Sequence, residues 1–217
     1  MSDPSPAPPA PHPLRDTVVD AAMRRFNRHG YKSVTMDDIA RELGMSKKTL
    51  YQVVPNKQAL IDLTLECDMA RDEALVERAC AESVDAVDEM LRIARYFTEQ
   101  MCKVSPAALY DLQKYYRPSW ERLDAHHNDE MIARVRANLR RGQAEGLYRE
   151  ELHRELIAHL FVRSPQAFLD QERFPLKQHE WDDVLNQFMR YHLNGVVNDR
   201  GRALLREYLS RATDPQP

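Results

Sequence analysis

The sequence predicts an all-α protein of about nine to ten helices, because three observations agree. Apolar residues recur three and four positions apart in successive segments, the spacing that places side chains on one face of a helix. The alternation of apolar and polar residues that is typical of strands is missing. Glycine, proline or a hydroxyl residue separates one segment from the next. With 217 residues, 43% of them hydrophobic, the chain can form a packed core.

The composition divides the chain into two helical domains between two short terminal segments. Residues 1–13 contain six of the thirteen prolines and almost no side chain that could be buried, so we expect a disordered arm there. We expect a small domain over residues 14–58, a larger helical domain over residues 59–212 and a disordered tail over residues 213–217.

The small domain begins with an amphipathic helix that ends near Gly30. Glycine is a common helix terminator because it readily adopts the left-handed conformation. The apolar face of this helix consists of side chains at helical spacing, namely Val19, Ala22, Met23 and Phe26.

Two short helices joined by a turn follow. Thr35 is placed to cap the first, and Asp38 three residues later completes a capping-box pattern. Gly44 makes the turn, Ser46 caps the second helix, and Leu50 faces inward with Val53. The opposite face then exposes polar and cationic side chains, namely Lys47, Lys48, Tyr51 and Gln52. This pattern is typical of a helix-turn-helix, in which the second helix enters the major groove of DNA.

The charge distribution supports that interpretation. The whole chain has a net charge of -3, but residues 24–57 contain eight Lys or Arg against three Asp or Glu. A small basic module on an acidic remainder is expected when one face meets phosphate.

The stretch HGYKSVTMDDIARELGMSKKTLYQVVPNKQAL resembles the N-terminal domain of the TetR family of transcriptional regulators. The shared pattern is a glycine followed by an aromatic residue, then Thr, Ile-Ala, a glycine turn, and Leu-Tyr before a Lys. The resemblance covers residues 14–66. It implies DNA binding by a helix-turn-helix.

The resemblance also implies a set of DNA-binding residues. The positions that contact phosphate are Tyr31, Thr35, Tyr51 and Lys57. The positions that read base edges or adjacent backbone are Met45, Ser46, Lys47, Lys48 and Gln52, and Thr49 belongs to the same helix. The chain departs from the family at Gln52-Val53-Val54, where aromatic or His residues are common, so the base contact made from position 53 is not expected here.

Further helices fill the larger domain. They are expected from Lys57, from Asp85 to Lys103, from Pro106, from Pro118 to Gly146, over about 151–170, over about 179–198, and after Gly201. The two helices before the last one (151–170 and 179–198) have more apolar surface than packing within a single chain requires. In the TetR family the last two long helices pair with their twins, so we expect a homodimer on a near-palindromic operator.

The middle helices contain aromatic and methionine side chains that suit an apolar effector pocket. The candidate ligand-binding residues are Met90, Phe97, Met101, Tyr110, Tyr116, Trp120 and Met131. The expected function is a ligand-responsive transcriptional regulator that releases its operator on binding a small apolar or amphipathic molecule.

Catalytic and metal chemistry are not expected. The sequence has no P-loop, GxSxG or GxGxxG motif. His126 and His127 are adjacent and point apart on a helix, while His153 and His159 are six apart, so neither pair predicts a metal site. We expect no cofactor.

Two alternatives keep the same fold. One is an architectural DNA-binding protein without an effector, and the other is a redox regulator that senses oxidants through Cys67. The three cysteines, Cys67, Cys80 and Cys102, form neither a disulfide framework nor a zinc motif. No apolar run approaches the roughly 20 residues of a membrane span. We therefore expect a cytoplasmic protein with no membrane partner.

Overall fold

The computed structural model of the protein describes residues 13–168 and 181–213, and all ten elements within them are α-helices. The all-α prediction is confirmed. The helices are α1 (Pro13–His29), α2 (Met36–Glu42), α3 (Lys47–Val53), α4 (Lys57–Ala81), α5 (Ala86–Lys103), α6 (Pro106–Tyr115), α7 (Arg117–Ala144), α8 (Arg154–Phe168), α9 (Trp181–Val196) and α10 (Asp199–Thr213). Among these described helices, none combines the length and the apolar composition that crossing a membrane requires.

The first and last described helices extend slightly into the segments that the sequence assigned to the disordered arm and tail. Helix α1 already starts at Pro13, the last residue assigned to the arm, because proline suits the first turn of a helix. The rest of the predicted arm and residues 214–217 of the predicted tail lie outside the described residues.

The chain divides into two compact units. The N-terminal unit comprises Met1–Asp68 and Val104–Trp120, and the C-terminal unit comprises Met69–Lys103 and Glu121–Pro217. The sequence-based boundary at residue 58 therefore differs from the structural one. The difference arises because α6 packs on α1, with the amide of Ser105 donating to the carbonyl oxygen of Asn27 at 2.9 Å. Local periodicity carries no information about such a long-range pairing.

The N-terminal unit packs α1, α2, α3 and α6 together. The rings of Phe26 and Tyr31 stack with centroids 4.8 Å apart, and both side chains are buried. Ile39 of α2 and Leu50 of α3 are fully buried beside them. This small core holds the two helices of the predicted helix-turn-helix.

Asp111 of α6 fixes the turn that follows α1. Its Oδ2 accepts a hydrogen bond from the amide of Lys32 at 2.7 Å. The turn starts at Gly30, whose φ is 85°, and a Cβ there would lie 2.6 Å from the same oxygen. A glycine is needed at this position both for the backbone conformation and for the close approach.

The C-terminal unit has a core organised around Tyr148, a residue that the sequence did not single out. Its hydroxyl lies 2.7 Å from the carbonyl oxygen of Ala86 and 2.9 Å from Oδ1 of Asn138, and the side chain is fully buried. Its backbone pairs with Val197 as an isolated β-bridge. A Cβ on Gly142 of α7 would lie 2.2 Å from the Tyr148 ring, so α7 carries a glycine where the ring crosses it.

His192 of α9 is a titratable group packed into the apolar side of this unit. Its ring centroid lies 4.3 Å from that of Phe161 and 6.2 Å from that of Phe188. Its Nε2 is buried and has no hydrogen-bond partner among the described residues. Burial lowers the pKa of His192 from 6.5 to about 4, because the cation would lose its hydration.

We predict that this histidine makes the protein acid-labile. Between the unfolded pKa of 6.5 and the folded pKa of about 4, the unfolded state binds more protons, so the free energy of unfolding falls as the pH falls. The expected loss from pH 7 to pH 5 is about 2 kcal/mol. Urea titrations at both pH values measure it, and His192→Phe should remove the loss while His29→Phe, at the exposed end of α1, should not. Equal losses in wild type and His192→Phe would contradict the assignment.

Candidate nucleic-acid interface

Helix α3 is built by local hydrogen bonds at its start. Ser46 is the N-cap, and its Oγ accepts from the amide of Thr49 at 3.1 Å. In α2 the capping box between Thr35 and Asp38 is complete, with the Thr35 amide donating to Oδ2 of Asp38 at 2.9 Å. Both caps match the sequence prediction. They set the starting points of the two helices independently of longer-range packing.

The turn between the two helices is short and closed. Gly44 adopts a φ of 61°, and the amide of Met45 donates to the carbonyl oxygen of Ala40 at 3.0 Å. With Leu50 buried against the core, the orientation of α3 relative to α2 is fixed within the N-terminal unit. The arrangement is that of a helix-turn-helix.

The outer face of α3 is exposed as the sequence predicted. Tyr51 exposes 48% of its surface, and the other exposed side chains are Ser46, Lys47, Lys48 and Gln52. Met45 and Thr49, also in the expected DNA-binding set, are half-buried, and the Thr49 hydroxyl lies 2.8 Å from that of Ser46. The adjoining Val53 is half-buried and Val54 is buried, and neither side chain has a group that can hydrogen-bond a base edge.

The charges on this face are only partly compensated. Lys47 forms an ion pair with Asp37 of α2 at 2.5 Å. Within the described part of the chain, Lys48 has no acidic partner. On the neighbouring surface, Arg24 and Arg25 pair with Glu42. Lys48 therefore supplies an uncompensated cation next to Gln52, a side chain that can bond adenine in the major groove.

Lys57 lies at the start of α4 and is half-buried. Its Nζ donates to the carbonyl oxygen of Lys32 at 3.0 Å and lies 6.0 Å from the centroid of the Tyr116 ring. Partial burial lowers its pKa, because desolvation disfavours the charged form. One hydrogen bond uses only one of the three donors of the ammonium group, so the others are available to a phosphate oxygen.

Tyr31 does not fit its expected role and requires a correction. The side chain is only 3% exposed, stacks on Phe26, and cannot reach a phosphate. Burial raises the pKa of its hydroxyl. The aromatic residue after Gly30 is thus a core residue that anchors the turn.

The candidate effector residues do not come together in one unit. Tyr110, Tyr116 and Trp120 belong to the N-terminal unit, whereas Met90, Phe97 and Met131 belong to the C-terminal unit. The side chain of Met101 lies outside the described residues. Of the three in the C-terminal unit, Met90 and Met131 are buried members of its core, and Phe97 packs against it half-buried.

One surface groove with a volume of about 640 Å³ lies in the C-terminal unit between α7 and the start of α8. Its lining mixes three arginines with small apolar, histidine and acidic side chains and includes none of the candidate effector residues: Ala133, Arg136, Ala137, Arg140, Leu152, His153, Arg154 and Glu155. Arg136 is already paired with Glu155 at 3.0 Å. The groove does not have the apolar lining expected of the effector pocket.

A group of three potential metal ligands occurs in the described part of the C-terminal unit. Atoms of Glu73, His126 and Glu130 lie within 4.8 Å of one another. The sequence spacing of His126 and Glu130 in α7 does not predict this group, because its third member, Glu73, lies in α4. Arg134 already pairs with Glu130 at 2.6 Å, which places a competing cation beside the oxygen atoms a metal would use.

Cys80 is poorly suited to redox sensing. Its side chain is half-buried, and desolvation together with the nearby Glu89 carboxylate raises the pKa of its thiol. A raised pKa leaves little thiolate at neutral pH, and the thiolate is the reactive form.

The geometry of the N-terminal unit therefore defines a helix-turn-helix DNA-binding protein. Comparison with known proteins agrees. Residues 18–63 match the family model for bacterial regulatory proteins of the tetR family. Over 185 residues the chain is 28% identical to YvaF of Bacillus subtilis, an uncharacterized HTH-type transcriptional regulator, and the match covers 84% of this chain and 95% of that protein.

Two further relatives are informative. IcaR of Staphylococcus aureus, a negative regulator of a biofilm operon, is 30% identical over 54 residues, or 25% of this chain and 29% of that protein. The crystal structure of a TetR-family regulator from Agrobacterium tumefaciens superposes with a TM-score of 0.68 at 16% identity, over 85% of this chain and 97% of that one. Residues 18–63 thus match the DNA-binding domain of the tetR family, the chain is similar to HTH-type transcriptional regulators over most of its length, and these relatives are regulators and not enzymes.

Proposed function

We propose that the protein is a homodimeric repressor that binds a near-palindromic operator and releases it when a small apolar or amphipathic effector binds. The observation that carries the proposal is the exposed face of α3, where Lys47, Lys48, Tyr51 and Gln52 project from a helix capped at Ser46 and anchored by Leu50. A helix of this kind fits the major groove of B-DNA.

Each side chain of the proposed interface has a role that its chemistry suits. Gln52 would read a base edge, since an amide can bond adenine with both its donor and its acceptor. Lys48 and Tyr51 would bond phosphate or an adjacent base. The flanking contacts would come from side chains at the two helix starts and the turn: Thr35, Met45, Ser46, Lys47, Thr49 and Lys57.

The dimer is proposed from exposed apolar side chains on α8 and α9. Leu156 and Leu160 are each 61% exposed, and Tyr191 is 77% exposed. The two helices pack on each other through Phe161 and Phe188, whose ring centroids are 5.9 Å apart. Large apolar side chains left on one such surface favour a second copy of the chain as the cover. Two recognition helices would then meet successive major grooves about 34–36 Å apart.

The effector is proposed to enter the C-terminal unit beside Met90, Phe97 and Met131. Methionine side chains can rearrange around an apolar guest more easily than branched ones. Helix α4 contributes residues to both units, so a ligand that favours one placement of α4 would change the DNA affinity. Repression, rather than activation, is favoured by the 54-residue match to the negative regulator IcaR.

Selection of bound fragments from a genomic library by the purified protein tests the proposal. We expect a near-palindromic site that binds two copies of the chain, with an affinity that falls about 10³- to 10⁵-fold between 50 and 200 mM salt.

Fatty acids, steroids and aromatic acids are the effector probes, and at least one class should weaken operator binding. The variant Leu156→Glu with Leu160→Glu should remain monomeric in sedimentation analysis and lose cooperative binding.

Different outcomes separate the parts of the proposal. Many diffuse sites without a shared sequence would favour the architectural alternative. An intact operator complex that no probe weakens would contradict effector release but leave DNA binding in place. Release by oxidant that disappears in Cys67→Ser would favour the redox alternative.

A further inference from the structure

A second exposed group in the N-terminal unit, outside α3, combines two lysines with two tyrosines. It consists of Lys32, from the turn after α1, and Tyr110, Lys114 and Tyr115 of α6, and is here named the lysine–tyrosine patch. All four side chains are exposed. Sequence reasoning missed the patch because Lys32 and Lys114 are 82 positions apart and meet only when α6 packs on α1.

The patch is ordered by contacts between its own members. Lys32 Nζ lies 4.3 Å from the centroid of the Tyr115 ring and donates to its hydroxyl at 3.2 Å. Lys114 Nζ lies 4.9 Å from the centroid of the Tyr110 ring and donates a hydrogen bond to its hydroxyl. The two tyrosine rings meet edge to face with centroids 6.4 Å apart. These contacts hold two flexible lysines in place before any partner arrives.

The two positive charges are uncompensated. Within the described residues, neither Lys32 nor Lys114 forms an ion pair with a carboxylate. The hydrogen bond to Tyr110 raises the pKa of Lys114, so the side chain is cationic at neutral pH. The tyrosine hydroxyls can also donate to an anion. A patch of this composition suits phosphate oxygens.

The patch is continuous with the surface that carries the proposed phosphate contact of α4. The carbonyl oxygen of Lys32 accepts from Nζ of Lys57, so the two residues are in direct contact. From Lys57 the path runs through Lys32 to Tyr115 and then to Lys114, whose Nζ lies 5.6 Å from the Tyr115 ring. All four residues belong to the N-terminal unit that also contains α3.

We propose that the lysine–tyrosine patch binds the phosphate backbone of double-stranded DNA beyond the half-site contacted by α3. The proposal rests on the DNA-binding function described above and extends the footprint of each N-terminal unit outward. Such contacts carry no base information, and they raise affinity in a salt-dependent way that is independent of the flanking sequence.

The test compares two duplexes and charge-matched variants of the full-length protein. One duplex contains only the operator, and the other extends it by about ten base pairs, or one helical turn, on each side. For the extended duplex, Lys32→Gln with Lys114→Gln should weaken binding at least tenfold at low salt. It should also reduce the slope of log affinity against log salt by about 0.9 for each phosphate that the variant no longer neutralises. On the short duplex the same variant should bind like the wild type.

Two controls make the result specific. Lys103→Gln, which removes an exposed charge from the C-terminal unit, should leave both slopes unchanged. Lys32→Arg with Lys114→Arg keeps the charge and should keep the wild-type slope. A Gln double variant that stays folded by circular dichroism but has the wild-type slope on the extended duplex would overturn the proposal. Failure of the wild type to bind either duplex would instead count against the DNA-binding function.

Discussion

Lys48→Ala with Gln52→Ala should lower operator affinity at least about 1000-fold while leaving the fold unchanged. Removing a base or phosphate contact costs about 1–3 kcal/mol, and the two substitutions occur in both recognition helices of a dimer. Neither side chain supports the core, because both are exposed while Leu50 anchors α3. Fluorescence anisotropy with a labelled operator measures the affinity, and thermal unfolding reports the fold.

The matched control for this experiment is Lys103→Ala with Gln113→Ala, which removes the same two residue types from exposed positions outside α3. It should retain wild-type affinity. If the α3 variant bound the operator as tightly as this control does, α3 would not be the recognition helix. Gln52→Ala alone should reduce selectivity at the base position that Gln52 reads.

Gly142→Ala should reduce the free energy of unfolding by about 2–4 kcal/mol, since overpacking a rigid core forces side chains and backbone to shift. The added Cβ would lie 2.2 Å from a ring atom of Tyr148. That ring cannot retreat easily, because it is fully buried and its hydroxyl is bonded within the core. Urea unfolding monitored by circular dichroism measures the change.

Gly195→Ala provides a control with the same chemical change. Gly195 lies within α9 and an added Cβ would meet nothing within 4 Å. Alanine is favoured over glycine inside a helix by about 0.5–1 kcal/mol, so this variant should be slightly stabilised. Two variants with equal stability would show that the approach of Tyr148 to α7 is looser than the structure indicates.

Local interactions account for the parts of the molecule that could be predicted from sequence. The caps at Thr35 and Ser46 need partners only three residues away, and both are present. The turn at Gly44 and the inward position of Leu50 follow from the same short stretch. For this reason the exposed face of α3 could be assigned before any tertiary contact was known.

Features that depend on distant contacts could not be predicted in the same way. Tyr31 occupies a position where the family pattern predicts a phosphate contact. Only its stacking on Phe26 shows that it is a core residue. Asp111 is 79 positions from its partner Lys32, and Tyr148 is 62 positions from Ala86. Aromatic and methionine residues at helical spacing likewise gave one list of effector candidates, although the structure divides them between two units.

The discontinuous N-terminal unit has a consequence for how the protein is made. The turn that starts at Gly30 can form its hydrogen bond to Asp111 only after Asp111 has emerged from the ribosome. The N-terminal unit is complete only when its second segment, which ends at Trp120, has been synthesised. At roughly 5–20 residues per second, the 52 residues that separate Asp68 from Trp120 take about 3–10 s to synthesise. During that interval the nascent chain carries capped helices without their α6 support. A DNA-binding fragment cut after Asp68 would be left permanently in this state, so expression of the isolated segment should begin at α1 and include α6.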